Sequence, residues 1–398
     1  MVDLASLRRA TRATLCLECG KCATLCPVAG FGDFSARRVA SLHMDDAADS
    51  PTAAVQRCLT CGLCEERCPQ GVHFADWVRG LREHVPPESR WPCPHGQTFD
   101  SVARLMADTV PSRDMSWIGD DLKVAEQGEV ALFVGCLPFF DAYFGEDLDV
   151  KMLEIARAAI RLLNRQGIEP VIATDERCCG HDLLWSGDRE SFDKLAAANT
   201  AAFEARGVKK IITTCAECCR TWRIDYAEAV RSYRPQVQHV AEFLAEAVEA
   251  GQLELTGDET VTYQDPCRLG RQLGVVDEPR QVLAAIDGTS LMEMERSGRD
   301  AQCCGSPGFT HCDATSRALQ TARLQEARNT GAGQLLTACP KCLIHLRCAQ
   351  AESLRHQPQT PSLEIRDLTV YVASRTSSTL KALEASSAHA ERTAGGEP

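Results

Sequence analysis

Cysteine is the residue whose number and spacing could do chemistry in this chain. There are 22 of them, and eight fall in two runs of one pattern. Cys16, Cys19, Cys22, Cys26 and Pro27 make C-x2-C-x2-C-x3-C-P, and Cys58, Cys61, Cys64, Cys68 and Pro69 repeat it. Three thiolates so spaced wrap three corners of a [4Fe–4S] cubane, while the fourth reaches across to a second cluster. The pattern therefore assigns Cys16, Cys19, Cys22 and Cys68 to one cluster, and Cys58, Cys61, Cys64 and Cys26 to the other. Gly20 and Gly62 stand where backbone passes close to sulfide, which the lack of a Cβ permits. Zinc knuckles also use CxxC pairs, but the closing Cys-Pro belongs to the iron–sulfur pattern. Such a module passes single electrons and makes no bonds.

Ten further cysteines fall in two matching sets. The first is Cys136, then Cys178-Cys179-Gly180, then Cys215-Ala216-Glu217-Cys218; the second is Cys267, then Cys303-Cys304-Gly305, then Cys339-Pro340-Lys341-Cys342. In the first set each cysteine follows a strand-like run, at 132–134, 172–174 and 211–213. Ligands collect at the carboxyl ends of strands in open α/β sheets, so five thiols are expected to converge at one edge in each half. Buried packing thiols account poorly for two sets of identical order. Cys93, Cys219, Cys312 and Cys348 lie outside the motifs; Cys312 and Cys348 read as core or helix-packing thiols, and Cys219 stands beside Cys218 as an alternative ligand. His181, His239 and His311 read as structural histidines before proton carriers. Arg268, Arg271 and Lys341, next to proposed ligands, either hold an anionic substrate or offset cluster charge.

The elements around these residues divide the chain. Residues 1–85, dense in cysteine and glycine with helical patterning, form a helical module for two clusters. Residues 86–128 open on a proline-rich stretch that forbids continuous helix and read as a linker. From residue 129, short β-rich runs (130–134, 170–174, 210–214) alternate with amphipathic helical stretches, which indicates α/β units. A second pass, with a strand-like run at 261–263, a helical one at 279–286 and a strand at 334–337, repeats the first. The expected domains are thus 129–256 and 257–373, with a disordered tail over 374–398. The fold class is α/β with a helical ferredoxin-like module at its start.

From Cys16 to about Val372 the sequence resembles the CCG-domain proteins, heterodisulfide reductase D-type chains in particular, in which a ferredoxin-like C-type part is joined to a B-type part. The likeness is carried by Cys58-Leu59-Thr60-Cys61-Gly62-Leu63-Cys64-Glu65-Glu66-Arg67-Cys68-Pro69, by both CCG triplets, and by Asp265-Pro266-Cys267-Arg268-Leu269-Gly270-Arg271 with Glu278-Pro279-Arg280. It implies that each C…CCG…CxxC set ligates a non-cubane [4Fe–4S] cluster and that the ten cysteines are catalytic, two such clusters flanking a disulfide. The cofactors implied are two cubane and two non-cubane clusters. The iron–sulfur subunits of glycolate, lactate and glycerol-3-phosphate dehydrogenases share the layout but are expected to lack ligands in one set. Here both sets are complete.

Net charge is −12, which argues against nucleic acid as a partner. The N-terminus lacks the apolar stretch of a secretory signal, so a cytoplasmic location is expected, with any membrane contact supplied by a partner. Neither G-x-G-x-x-G nor a P-loop pattern is present. Electrons are therefore expected from another protein, such as a flavoprotein of the heterodisulfide reductase A type or a membrane cytochrome b, within a larger redox complex. Two functions follow: reduction of a disulfide or oxidation of thiols at the CCG sets, or a non-catalytic electron relay in a dehydrogenase or respiratory assembly. A zinc-stabilised interaction scaffold is the third.

Overall fold

The computed structural model describes residues 3–31, 34–41, 52–110, 113–305 and 312–376. His311 and residues 377–398 of the tail lie outside the described residues; residues 374–376, read as the start of that tail, are ordered, Ser374 ending a helix and the buried Thr376 bridging to Leu255. Up to residue 110 the described elements are helical, among them Lys21–Leu25, Thr52–Arg57 and Phe74–Glu83. The last buries Phe74, Trp77, Val78 and Leu81 on one face. Strands begin only at Val130, as the alternation of patterns indicates.

The first half holds three parallel strands, β1 (Val130–Phe133), β2 (Lys210–Thr213) and β3 (Gln236–His239), in the order β1-β2-β3. The register pairs Val130 with Lys210 and Lys210 with Gln236. The run at 170–174 is not a strand; only Val171 bridges to the β1 edge, because Pro170 begins the run and a turn starts at Thr174. After a short pair, β4 (Leu255–Thr256) and β6 (Ile286–Asp287), the second half uses β5 (Thr260–Gln264), β7 (Ser290–Leu291), β8 (Gln334–Thr337) and β9 (Glu364–Asp367) in the parallel order β7-β5-β8-β9. Thus β5-β8-β9 repeats β1-β2-β3.

The halves also exchange contacts reciprocally. Helix Val240–Glu249, which follows β3, packs on helix Asp277–Ala284 of the second half. Its counterpart Leu368–Ser374, which follows β9, packs on Met152–Arg165 of the first half. Helix Pro340–His356 likewise meets Leu137–Leu148, and Ala216–Arg220 meets the π-helical turn Arg268–Gln272. Each half therefore closes the other's core, the self-complementary arrangement of a twofold interface made within one chain. The stretch read as a linker also holds a helix, Thr98–Asp108, whose Ala103 and Ala107 pack with Leu183 and Leu195. Proline governs only its start. Among the described residues no helix is long and apolar enough to cross a membrane.

Candidate functional site: two cysteine runs and a ten-thiol chain

The two N-terminal runs share one backbone shape. Glu18 and Gly20 in the first, and Thr60 and Gly62 in the second, all have positive φ, of 52°, 78°, 48° and 76°. That conformation turns the backbone sharply between successive cysteines, and it is cheap at glycine. The surroundings differ. In the first run Cys19 is exposed and Cys16 and Cys22 are half-buried, and burial, then Cys16, pushes the Cys22 thiol up.

In the second run Cys58, Cys61 and Cys64 line one small cavity together with Cys26. Its other walls include Val28, Phe34, Leu59 and Phe74. Burial pushes Cys26 up to about 12 and Cys58 to about 11, the latter against the pull of Arg82. The Thr60 amide donates to Cys58 Sγ at 3.3 Å, and that of Val72 to Cys68 Sγ at 3.4 Å. Four sulfurs around an apolar space suit a soft, thiolate-bound group.

The ten remaining motif cysteines form one unbroken sequence of neighbouring thiols. Cys136 donates to Cys178, as does Cys179; Cys218 Sγ donates to Cys179 Sγ at 3.5 Å and also faces Cys215. Cys339 donates to Cys215 across the two halves. Cys342 then meets Cys339 and Cys304, Cys303 meets Cys304, and Cys267 meets Cys303. Read from the centre outwards, Cys215 matches Cys339, Cys218 matches Cys342, Cys179 matches Cys304, Cys178 matches Cys303 and Cys136 matches Cys267. The sequence of contacts is palindromic about the twofold relation of the fold. Sulfurs that accept from two neighbours are the acidic ones: Cys178 and Cys215 lie well below the ordinary thiol range, and Cys303 and Cys342 bring Cys304 down to about 6. Their donors, such as Cys136, Cys218 and Cys342, are held well above it.

Cys136, Cys215, Cys267 and Cys339 each sit just beyond β1, β2, β5 or β8, at the carboxyl edge. Gly180 and Gly305 have φ of 77° and 99°, and a Cβ on Gly305 would lie 2.8 Å from Ser316 O. These glycines serve the turn that brings the CCG pair into the sheet edge.

Charges at the centre obey the same symmetry. Glu217 and Lys341 occupy equivalent places in the two CxxC motifs and form a buried ion pair; Lys341 Nζ also meets Asp182. Burial opposes the ammonium, but Asp182 and Glu217 hold its pKa well above normal. His181, Asp182 and Glu217 converge closely enough for a metal ion, yet Lys341 already supplies the cation there. Burial keeps His181 neutral; its Nδ1 lies 2.9 Å from Asp182, and its Nε2 accepts from Arg268 Nε at 3.1 Å.

Two further contacts hold the loops before the first cysteines. Glu176 is buried and accepts from Gly135 N at 2.8 Å, Val134 N at 3.2 Å and Arg113 at 2.9 Å. In the second half Arg280 forks onto Asp265 at 2.8 and 3.0 Å, which explains the Asp265-Pro266-Cys267 and Glu278-Pro279-Arg280 pairing in sequence.

Other residues stand apart. Cys219 is wholly buried, faces Arg223 and Glu242, and is pushed by burial up to about 12. Cys93 is buried beside Asp100. Cys348 is half-buried, but Cys312 is exposed, so the reading of Cys312 as a core thiol does not hold; it precedes the helix Ala314–Asn329 instead of lying within it. His239 caps helix Val240–Glu249, its Nδ1 accepting from Ala241 N at 3.1 Å. Sequence reasoning missed Asp182, Glu217, Glu176 and Arg82. The repeat offered one signal: Glu217 and Lys341 are opposite charges at the same motif position.

Comparisons with known proteins agree with this organisation. Residues 14–73 match the 4Fe-4S dicluster domain, and residues 130–222 and 261–347 match the cysteine-rich CCG domain. The chain is 31% identical over 80% of its length to the D subunit of the dihydromethanophenazine:CoB–CoM heterodisulfide reductase of Methanosarcina acetivorans, covering 77% of that protein. It is 31% identical over 73% of its length to the corresponding protein of Methanosarcina mazei, covering 72%. It is also 28% identical, over 83% of its length, to the B subunit of the fumarate reductase (CoM/CoB) of Methanothermobacter marburgensis, covering 67% of it. These relatives are subunits of multi-protein redox complexes. With two iron–sulfur cysteine runs followed by a twofold-repeated cysteine-rich domain, the chain belongs to the family of heterodisulfide reductase D subunits and is an iron–sulfur oxidoreductase component of that kind.

Proposed function

We propose that this chain takes single electrons from a redox partner through its N-terminal module and uses them in pairs for thiol–disulfide chemistry between its two cysteine-rich halves. The observation that carries the reading is the contact between Cys215 and Cys339, which joins two complete five-cysteine sets into one site. Cys16, Cys19, Cys22 and Cys68 would hold one cubane, and Cys58, Cys61, Cys64 and Cys26 the other. Cys136, Cys178, Cys179, Cys215 and Cys218 would hold a non-cubane cluster, and Cys267, Cys303, Cys304, Cys339 and Cys342 its counterpart. Bound there, adjacent one-electron centres supply the two electrons that, with two protons, convert RSSR to two RSH, or accept them in reverse.

The chain's own residues prepare this work. At Cys178, Cys215 and Cys304 the hydrogen bonds from two neighbouring thiols favour the thiolate that a metal bond needs. The Glu217–Lys341–Asp182 network fixes the two CxxC loops against each other, so that the sets keep one separation. Both CxxC helices begin at their first cysteine, Cys215 and Cys339, where the helix dipole favours negative charge on sulfur. Domain boundaries near residues 85, 128 and 256 fit this division of labour, with a flavoprotein or a membrane cytochrome b as donor.

The test is replacement of Cys304 by Ala in the complex with its redox partners. Disulfide turnover is expected to vanish while electron flow to an artificial acceptor at the N-terminal module persists. Equal loss of both activities would contradict the reading and leave an electron relay.

A further inference from the structure

Three arginines buried between the N-terminal module and the cysteine-rich halves have neutral hydrogen-bond partners. Arg82, Arg268 and Arg271 are 3%, 1% and 7% exposed. Arg82 donates to the carbonyls of Val55, Gln56, Cys58 and Trp185. Arg268 donates to the carbonyl of Thr60, to its Oγ1 at 2.8 Å and to His181, and lies 3.8 Å over the Trp185 ring. Arg271 donates to Cys61 O at 2.7 Å and to the carbonyls of Arg299 and Ala301. Its Nη2 is buried and finds no hydrogen-bond partner among the described residues.

Among those residues, none of the three guanidiniums makes an ion pair with a carboxylate. Buried charges without counter-charges are costly. Glu65 and Glu66 feel this field without pairing to it. The other groups within reach that turn anionic on binding metal are sulfurs: Cys58 feels Arg82 and Arg268, and Cys61 feels Arg271 and Arg268. Arg271 also faces Cys267 and Cys303. It therefore stands between the second cysteine run and the second five-cysteine set.

We infer that Arg82, Arg268 and Arg271 act as positioning residues that make the centre held by Cys26, Cys58, Cys61 and Cys64 the easier of the N-terminal pair to reduce, and that electrons leave it toward the Cys267–Cys303 side. This rests on the ligand sets proposed above. Adding an electron adds negative charge, which burial disfavours and nearby cations favour. The guanidiniums act within the same low-dielectric interior, whereas Lys21, next to Cys22 in sequence, is exposed and its charge is screened by water and salt. Each passage moves one electron, supplied at the exposed end by a one-electron redox partner. Two passages and two protons balance the cleavage of one disulfide.

The experiment is an EPR-monitored redox titration of the iron-loaded full chain, with iron and sulfide quantified alongside. Cys61→Ser identifies the inner signal by its loss or change. Arg271→Met is expected to lower the inner midpoint by at least about tenfold in equilibrium constant, about 59 mV for one electron, while the outer midpoint stays in place; Arg271→Lys restores most of it. An unmoved inner midpoint at full iron content overturns the inference alone. Wild-type protein without iron and sulfide at these cysteines overturns the ligand reading beneath it. Should Arg271→Met fail to take up iron, Arg268→Gln, which keeps a polar contact to Thr60 and removes the charge, is expected to give the same downward shift, and its absence overturns the proposal.

Discussion

The two cysteine-rich halves are alike where they meet and unlike where they face the rest of the molecule. At their junction Cys215 meets Cys339 and Glu217 meets Lys341, equivalent positions paired across a twofold relation. At their outer ends the likeness stops. Cys267 lies beside Arg268 and Arg271, which reach the second N-terminal run. Cys136 and Cys178 instead border an apolar space lined by Phe99, Met106, Phe139 and Phe140. The repeat thus makes a symmetric junction, while the two halves meet the N-terminal module differently: the first through Arg79–Asp225, Arg220–Asp76 and Arg82 on the Trp185 carbonyl, the second through arginines on the cysteine loop itself.

The comparison is broken most severely by removing cysteines. Cys179→Ala and Cys304→Ala stand at matched positions, and each is expected to cost about four of about sixteen irons per chain when metal is quantified on anaerobic protein. If the two variants lose very different amounts, the halves are not equivalent as ligand sets.

Next in size is the central ion pair. Lys341→Met leaves the buried Glu217 and the half-buried Asp182 without their cation, and is expected to destabilise the chain by about 3–5 kcal/mol in denaturant titration. Exchanging the two charges, Glu217→Lys with Lys341→Glu, should recover part of that loss, since each lies at the same place in its half. A double variant no better than the single ones would deny the pairing.

Smaller effects sharpen the picture. Gly305→Ala puts a methyl 2.8 Å from Ser316 O in a left-handed backbone, expected to cost about 1–3 kcal/mol. The matched Gly180→Ala meets only the side chains of Leu195 and Phe192 at 3.1 Å, which can give way, so thermal unfolding should show the smaller loss there. Last comes Cys219→Ala, expected to leave the iron content unchanged. A loss of iron would make Cys219 a ligand in place of Cys218.

Much of this arrangement was legible in the cysteine spacing, because metal-binding loops fix short sequence separations. The order C, CCG, CxxC also disclosed the repeat, and the strands at 130–133, 210–213 and 334–337 carried enough β-branched and aliphatic residues to be read directly. What spacing could not encode was the relation between repeats. That Cys215 faces Cys339 depends on helices exchanged between halves, a long-range packing result. Arg82 offered no local signal at all: its role arises from meeting Cys58 and Trp185 in space. The helix at 98–108 was hidden behind prolines that end before it, and the Val171 segment lacks a second strand to pair with along its length.

The most direct test of the central claim is low-temperature EPR with iron and sulfide quantitation on anaerobically prepared full chain, with and without added thiol. Two joined cysteine sets acting on disulfides predict about sixteen irons per chain and a paramagnetic signal that appears with thiol and is abolished in Cys304→Ala. Full iron content with spectra indifferent to thiol would contradict it.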